Sequence, residues 1–181
     1  MRTLPDLLQP GLDLIFVGIN PGEASARAGH YYAHPGNGFW PALSASPLVA
    51  RTVGPEDDRA LLVEARIGFT DVVKRVITDS AQVSDTELRS AWTARVQCIA
   101  YAQARAVCFT SACACDRLFP RVRAADTWGH LPVTLAGAQV WVMPSTSGRA
   151  AAHRTHVHHV LAALAASLHE ARATRSIGDD A

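Results

Sequence analysis

The segment LDLIFV at 12–17, apolar but for Asp13, constrains the fold most strongly. Such a run has no polar face to turn to water, so it belongs in a strand covered on both sides, as in parallel sheets. AVCFT at 106–110 is a second such run; LPVTL and QVWVMP, parted by the Ala136–Gly137 turn, are two more. IGFTDVV at 67–73 is a short apolar segment interrupted by Asp71. Helical stretches alternate with these runs. A short helix is expected at Phe39–Ser44, and a clearer one at Asp57–Ala65, with Asp57 and Asp58 in its first turn where the helix dipole favours them. Ser84, with Glu87 three residues on, forms a capping box that opens a helix from Asp85 to about Ala104. Another runs from Ser111 to Leu118, and a last one from about Arg149 to Arg172. The alternation predicts an α/β fold, three-layer α/β/α around a central, mostly parallel sheet. One domain over 1–171 is expected, followed by a polar tail, 172–181, without fixed structure.

At 181 residues the chain suits a single core that buries about two-thirds of the unfolded surface. With 49% hydrophobic and 18% charged residues it is not a disordered chain. It holds no run of about 18 apolar residues, the length a membrane helix needs. The amino end MRTLPDLLQPG places prolines and an aspartate where a signal peptide has its apolar stretch, so a cytoplasmic location is expected. Net charge is only +1, which excludes polyanion binding by bulk charge. The basic side is nonetheless almost all arginine, with Lys74 the only lysine. Arginine suits bidentate phosphate contacts, although a GC-rich genome produces the same bias. Cys98, Cys108, Cys113 and Cys115 form no C-x-x-C pair and are expected to be buried or half-buried free thiols.

In open α/β sheets, ligands sit beyond the carboxyl ends of the strands. Two loops there carry unusual chemistry: GINPGEASARAGHYYAHP after the first strand and MPSTSGRAAAH after the last. The first lacks the Gly-Lys-Ser/Thr ending of a phosphate loop and is no G-x-G-x-x-G fingerprint. The second is no nucleophile elbow, since G-x-S-x-G is absent. The cluster HRTHVHHV offers His153, His156, His158 and His159 without an interleaved Asp, Glu or Cys. It is therefore expected to serve as a polar or phosphate-facing surface, with no metal and no cofactor. The first loop supplies an amide (Asn20), a hydroxyl (Ser25) and aromatics (Tyr31, Tyr32, Phe39, Trp40); the second supplies Arg149 at the opening of a helix. An amide, an aromatic platform and a nearby phosphate clamp suit a pocket for a nucleobase drawn out of a duplex.

These segments carry a resemblance. FVGINPG, the following SA and AHPGNGFW are similar to the first motif of the mismatch-specific uracil-DNA glycosylase and thymine-DNA glycosylase family. IGFTDVVKR and WVMPSTSGR are similar to its middle and last motifs, in the same order, so the resemblance spans roughly 8–170. It implies the uracil-DNA glycosylase fold and a monofunctional, metal-free enzyme that flips a mismatched uracil out of duplex DNA, with thymine or other damaged pyrimidines also possible substrates. Hydrolysis of the N-glycosidic bond leaves an abasic site. The implied partner is double-stranded DNA with a U·G or similar mismatch, bound by a monomer without membrane contact.

Residue by residue, the resemblance gives Asn20 the role of positioning the attacking water. It makes Tyr32 the stacking aromatic, assigns the backbones of Ile19 and Tyr32 to the uracil edge, and lines the base pocket with Ser25 and Ser145. The residue after Gly148 is the wedge that fills the hole left by the extruded base, here Arg149. The chain departs from the family in three places, at Ser145, Asp71 and Glu23. Ser145 stands where many bacterial members have an asparagine, which weakens guanine-specific contacts. Asp71 stands where a lysine or asparagine is usual, and it reads either as a base for the water or as a turn residue. Glu23 beside the first loop reads as solvent-facing. A lesion-binding module without turnover and a serine hydrolase are the competing readings; Asn20 argues against the first and the missing base against the second.

Overall fold

The computed structural model describes residues 2–178, with the side chains of 149–151, 172 and 174–178 outside the description. Its strands are β1 (Leu14–Gly18), β2 (Ile67–Asp71), β3 (Ala106–Phe109), β4 (Gly129–Leu135) and β5 (Ala138–Val142). The helices are α1 (Glu23–Ala28), α2 (Phe39–Ser44), α3 (Leu61–Glu64), α4 (Asp85–Ala102), α5 (Ala112–Leu118) and α6 (Arg154–Gly178). The strands form one sheet in the order β2-β1-β3-β5-β4. The first four are parallel and β4 is antiparallel to β5. The architecture is thus the layered α/β arrangement that the strand–helix alternation implies.

Residues of β1 alternate between the two faces of the sheet. Leu14 and Phe16 join a cluster with Phe69, Trp141, Phe39 and Trp40 of α2, and the apolar stripe of α6 from Val157 to Leu168. Ile15 and Val17 join the opposite cluster with Val107, Phe109, Val140 and Leu88 and Ile99 of α4. Both faces of the sheet are therefore covered, which explains why β1 is buried throughout. Each fully buried large apolar side chain contributes about 1.5–3 kcal/mol.

Several boundaries differ from expectation, each for a local reason. The long first loop contains α1, whose left-handed Gly29 donates its N–H to the Ser25 carbonyl and closes the helix. The helix expected over Asp57–Ala65 is split: Pro55–Asp57 forms a 3₁₀ turn that begins at Pro55, and only α3 is α-helical. Ser84 accepts the Glu87 N–H as a cap, but the Glu87 carboxylate turns to Arg75, so only half of the capping box forms. Gly148–His153 is a 3₁₀ turn, α6 starts at Arg154, and its helix runs past Arg172 to Gly178. Asp71 does not interrupt an apolar segment but ends β2. Cys113 is exposed, unlike the buried Cys108 and Cys115 and the half-buried Cys98.

The amino-terminal segment crosses the outer edge of β2, where Leu7 and Phe69 exchange N–H···O bonds of 2.9 and 3.0 Å. Gly68 makes this approach possible. A Cβ there would lie 2.7 Å from the Leu7 carbonyl oxygen and 2.5 Å from a Leu12 methyl. Gly68→Ala should therefore lower stability by about 1–3 kcal/mol, the usual cost of forcing extra volume into a packed site. Chemical denaturation checks this; an unchanged midpoint would mean that the segment is not seated on β2 in solution.

Candidate active site

Register brings the carboxyl ends of the four parallel strands to one side of the molecule. Gly18 pairs with Asp71, Val17 with Phe109, and Phe109 with Val142. The ladder continues past the strands: Val72 N–H donates to the Gly18 carbonyl, Val73 N–H to Ile19, Thr110 N–H to Val17 and Met143 N–H to Phe109, all at 2.8–3.0 Å. Asp71 at the end of β2 and the loops bearing Asn20, Thr110 and Ser145 thus share a rigid common base.

Asn20 is held by the loop after β2. Its Nδ2 donates to the Ile77 carbonyl at 2.7 Å and to the Pro21 carbonyl at 3.1 Å. The Ile77 N–H in turn donates to the Pro21 carbonyl at 3.0 Å. Two backbone acceptors fix which end of the amide carries the hydrogens. Both N–H bonds are used, and Oδ1 remains as an acceptor that can orient water. Ile19 is a buried apolar residue whose carbonyl accepts the Val73 N–H and whose side chain joins the core cluster with Val17, Val72 and Ile77.

Asp71 is 3% exposed, and its Oδ2 has no hydrogen-bond partner. Its Oδ1 occupies the space above Gly18, where a Cβ would lie only 2.2 Å away and 3.5 Å from the Tyr32 hydroxyl. Burial raises the Asp71 carboxyl from the ordinary range to about 7; Asp6 adds to the rise, while Lys74 and Arg95 oppose it. A buried carboxyl raised in this way, with one oxygen unpartnered, can take a proton near neutral pH, and such groups cluster at functional sites.

Tyr32 sits in the left-handed region, at φ 53°. Its ring stacks on Phe39 at 4.1 Å between centroids, and its hydroxyl lies 3.2 Å from the Thr110 Oγ1. Burial and then the Asp71 charge push its phenol well above the usual value, so it stays a neutral donor. The turn that presents it is braced at several points. Ser25, on α1, accepts the Ala33 N–H at 3.1 Å; Asp58 accepts the Tyr31 N–H at 3.0 Å and meets His30 Nδ1 at 3.1 Å. Trp40 Nε1 donates to the Tyr31 carbonyl at 2.9 Å. Ser25 therefore shapes the turn from beneath. Asp58 is the buried anchor of this loop as well as a residue following a 3₁₀ turn.

The last loop is stitched to the first, with Gly38 N–H donating to the Thr146 carbonyl at 2.8 Å. A groove of about 340 Å³ opens between 35–38, Ser145–Ser147, and Arg154, Val157 and His158 of α6. Asn20, Asp71 and Tyr32 do not line it. Asn20, Asp71 and Tyr32 therefore lie apart from this groove, whose cation is Arg154 of α6. Ser145 Oγ pairs with Ser147 Oγ at 3.1 Å and accepts the Ser147 N–H. Gly148 packs closely, since a Cβ there would meet the Gly36 carbonyl oxygen at 3.3 Å. Arg149 lies in the 3₁₀ turn after this loop, and its side chain is outside the described residues. Among the described residues no three His, Cys, Asp or Glu side chains converge as a metal site; His153 lies 5.8 Å from Trp128 and 6.0 Å from His156, ring to ring. Glu23 is exposed and paired with Arg27 at 2.9 Å.

Residues 5–166 match the Uracil DNA glycosylase superfamily. The fold is also similar to that of a protein from Methanosarcina acetivorans, solved by solution NMR and titled a "putative Uracil DNA glycosylase". The two share 22% identity with a TM-score of 0.52, over 88% of this chain and 97% of the other. A match over nearly the whole chain, on a sheet whose strand ends gather these loops, leads to one conclusion: the chain belongs to the uracil-DNA glycosylase superfamily.

Proposed function

We propose that the protein excises mismatched uracil from duplex DNA in the manner of the mismatch-specific uracil-DNA and thymine-DNA glycosylases, as a monofunctional hydrolase. One observation carries this reading: Asn20 is clamped with its acceptor oxygen free, on the loop adjoining a buried, unpaired Asp71. Water hydrogen-bonded to Asn20 Oδ1 attacks C1′ of the flipped nucleotide. The C1′–N bond breaks, its electron pair leaves on the base, and the water's proton passes to the Asp71 carboxylate. That carboxylate also offsets the positive charge that grows on the sugar. Positioning and proton transfer of this kind lower a barrier without metal or cofactor. The groove between the first and last loops receives the DNA backbone, with Arg154 as its cation. Arg149 is the wedge, and Ser145, a hydroxyl in place of an amide, belongs to the wall of that groove.

Asn20→Ala should slow single-turnover excision from a U·G duplex by about 100-fold or more while leaving DNA affinity nearly intact. Excision within a few-fold of wild type would show that another group holds the water. Arg149→Ala should weaken mismatch binding and reduce the salt slope by about one unit. Unchanged affinity and slope would remove Arg149 from the interface.

For Asp71 the rate should rise with pH through an inflection near 7, as the buried carboxyl ionises. Asp71→Asn should remove that inflection and cost about 100-fold in rate. Its stability should change in the opposite sense. The carboxyl titrates near 7 when folded and near 3.8 when unfolded, so its contribution is full below the lower value and lost as pH rises through the upper one. The Asn variant should therefore melt above wild type at alkaline pH, by about 2–4 °C for each kcal/mol regained, and lose that advantage in acid. A variant that melts lower at alkaline pH would show that Asp71 is a structural partner.

A further inference from the structure

An ionic group lies near Asp71, assembled from parts of the chain with no motif in common. Asp6, on the segment that crosses β2, bonds Lys74 Nζ at 2.5 Å and accepts the Thr70 hydroxyl at 2.6 Å. Its other oxygen takes Arg95 of α4. Lys74 also donates to the Tyr31 hydroxyl at 3.1 Å, and its own carbonyl accepts the Thr3 hydroxyl. All three ionic side chains are shielded, at 24% exposure for Asp6, 25% for Lys74 and 13% for Arg95. Interactions within such a group are screened far less than at an open surface.

Lys74 lies three residues beyond Asp71, and Arg95 donates weakly to the neighbouring Thr70 at 3.5 Å. Either cation is a natural counter-ion for a buried carboxylate, yet neither bonds Asp71, whose Oδ2 stays unpaired. Both are instead spent on Asp6. The geometry points to Asp6 as a positioning residue that draws Lys74 and Arg95 onto itself and so leaves Asp71 unpaired and able to take a proton. An Asp71 ion-paired to lysine would be a permanent carboxylate and a poor proton acceptor, because an adjacent cation lowers a carboxyl by about 1–3 pH units.

The charged and titratable groups facing Asp71 are Lys74 from its own loop, Asp6 from the amino-terminal segment, Arg95 from α4, and the Tyr31 and Tyr32 phenols. Burial would raise Asp6, but the bonds from Lys74 and Thr70 hold it below the usual range, so it is an anion throughout the working pH span. Asp6 opposes ionisation of Asp71, and Lys74 and Arg95 favour it. The inference rests on the proposed catalytic role of Asp71 for its effect on rate, though not for its effect on charge.

The test compares wild type with Asp6→Asn and Lys74→Met, two variants that break the same ion pair. The Asp71 carboxyl is titrated by carbon NMR in aspartate-labelled protein, and the pH dependence of single-turnover excision is measured on a U·G duplex. Asp6→Asn should move the Asp71 titration about one pH unit or more to lower pH, and Lys74→Met should move it to higher pH. Lost stability from the broken pair would be common to both variants, whereas shifts of opposite sign are not. Titrations that coincide with wild type, or that move in the same direction, overturn the inference. Opposite shifts in the titration support it; if the excision profile then fails to follow them, the catalytic role of Asp71 falls while Asp6 still governs its charge.

Discussion

The site depends on the contact between the Asp71 carboxyl and the bare backbone of Gly18. Parallel pairing of β1 with β2 makes these residues neighbours, and only a residue without Cβ leaves the carboxyl its room. The same pairing continues into the two loops, so the Asn20 amide and the Asp71 carboxyl are oriented by one ladder of backbone bonds. Burying an ionisable group without a partner is unfavourable. The two hydrophobic clusters that sandwich the sheet offset that cost, and the Asp71 Oδ2 stays without a hydrogen-bond partner.

The aromatic turn shows how a flexible sequence becomes a fixed platform. Gly, His and Tyr in succession would leave the chain loose, yet Asp58, Ser25 and Trp40 each bind one backbone group between Tyr31 and Ala33. Tyr32 is thereby held in a left-handed conformation that a free loop would seldom adopt. Phe39 takes one face of its ring, so the stacking surface is an extension of the core and not a side chain standing in solvent.

Most of the frame was legible in the sequence. β1, β3 and β5 are apolar runs whose periodicity admits little else, and α2 and α4 follow their expected spans closely. β2 was obscured by Asp71, since a charge in an apolar segment reads as its interruption when in fact it marks a strand end at the site. α1 was hidden by glycine and proline around it, and α3 was shortened by the proline turn ahead of it. Asn20 could be singled out because a strand exit is where an α/β sheet places its ligand contacts, and Asp71 because it departs from the pattern of similar chains. The Asp6–Lys74–Arg95 group left no trace, for its members lie as much as 89 residues apart and have no spacing to recognise. Asp58 carried a helix-start signal that concealed its service to a loop 27 residues earlier.

The edges of the sheet carry a consequence for how the molecule behaves among its own copies. With a net charge of +1, electrostatic repulsion does little to keep molecules apart. An open strand edge would then be an invitation to pair with a neighbour. On the β4 side, Pro132 removes a donor and the register slips between Leu131 and Thr134, so the ladder there is broken. On the β2 side, Leu7 already occupies the hydrogen-bonding groups of Phe69. Protection against sheet-to-sheet aggregation thus comes from a missing donor and an irregular strand on one margin and from a covering segment on the other. On the β2 margin the segment that supplies it also carries Asp6, so an insult that peels it away would disturb colloidal behaviour and site electrostatics together.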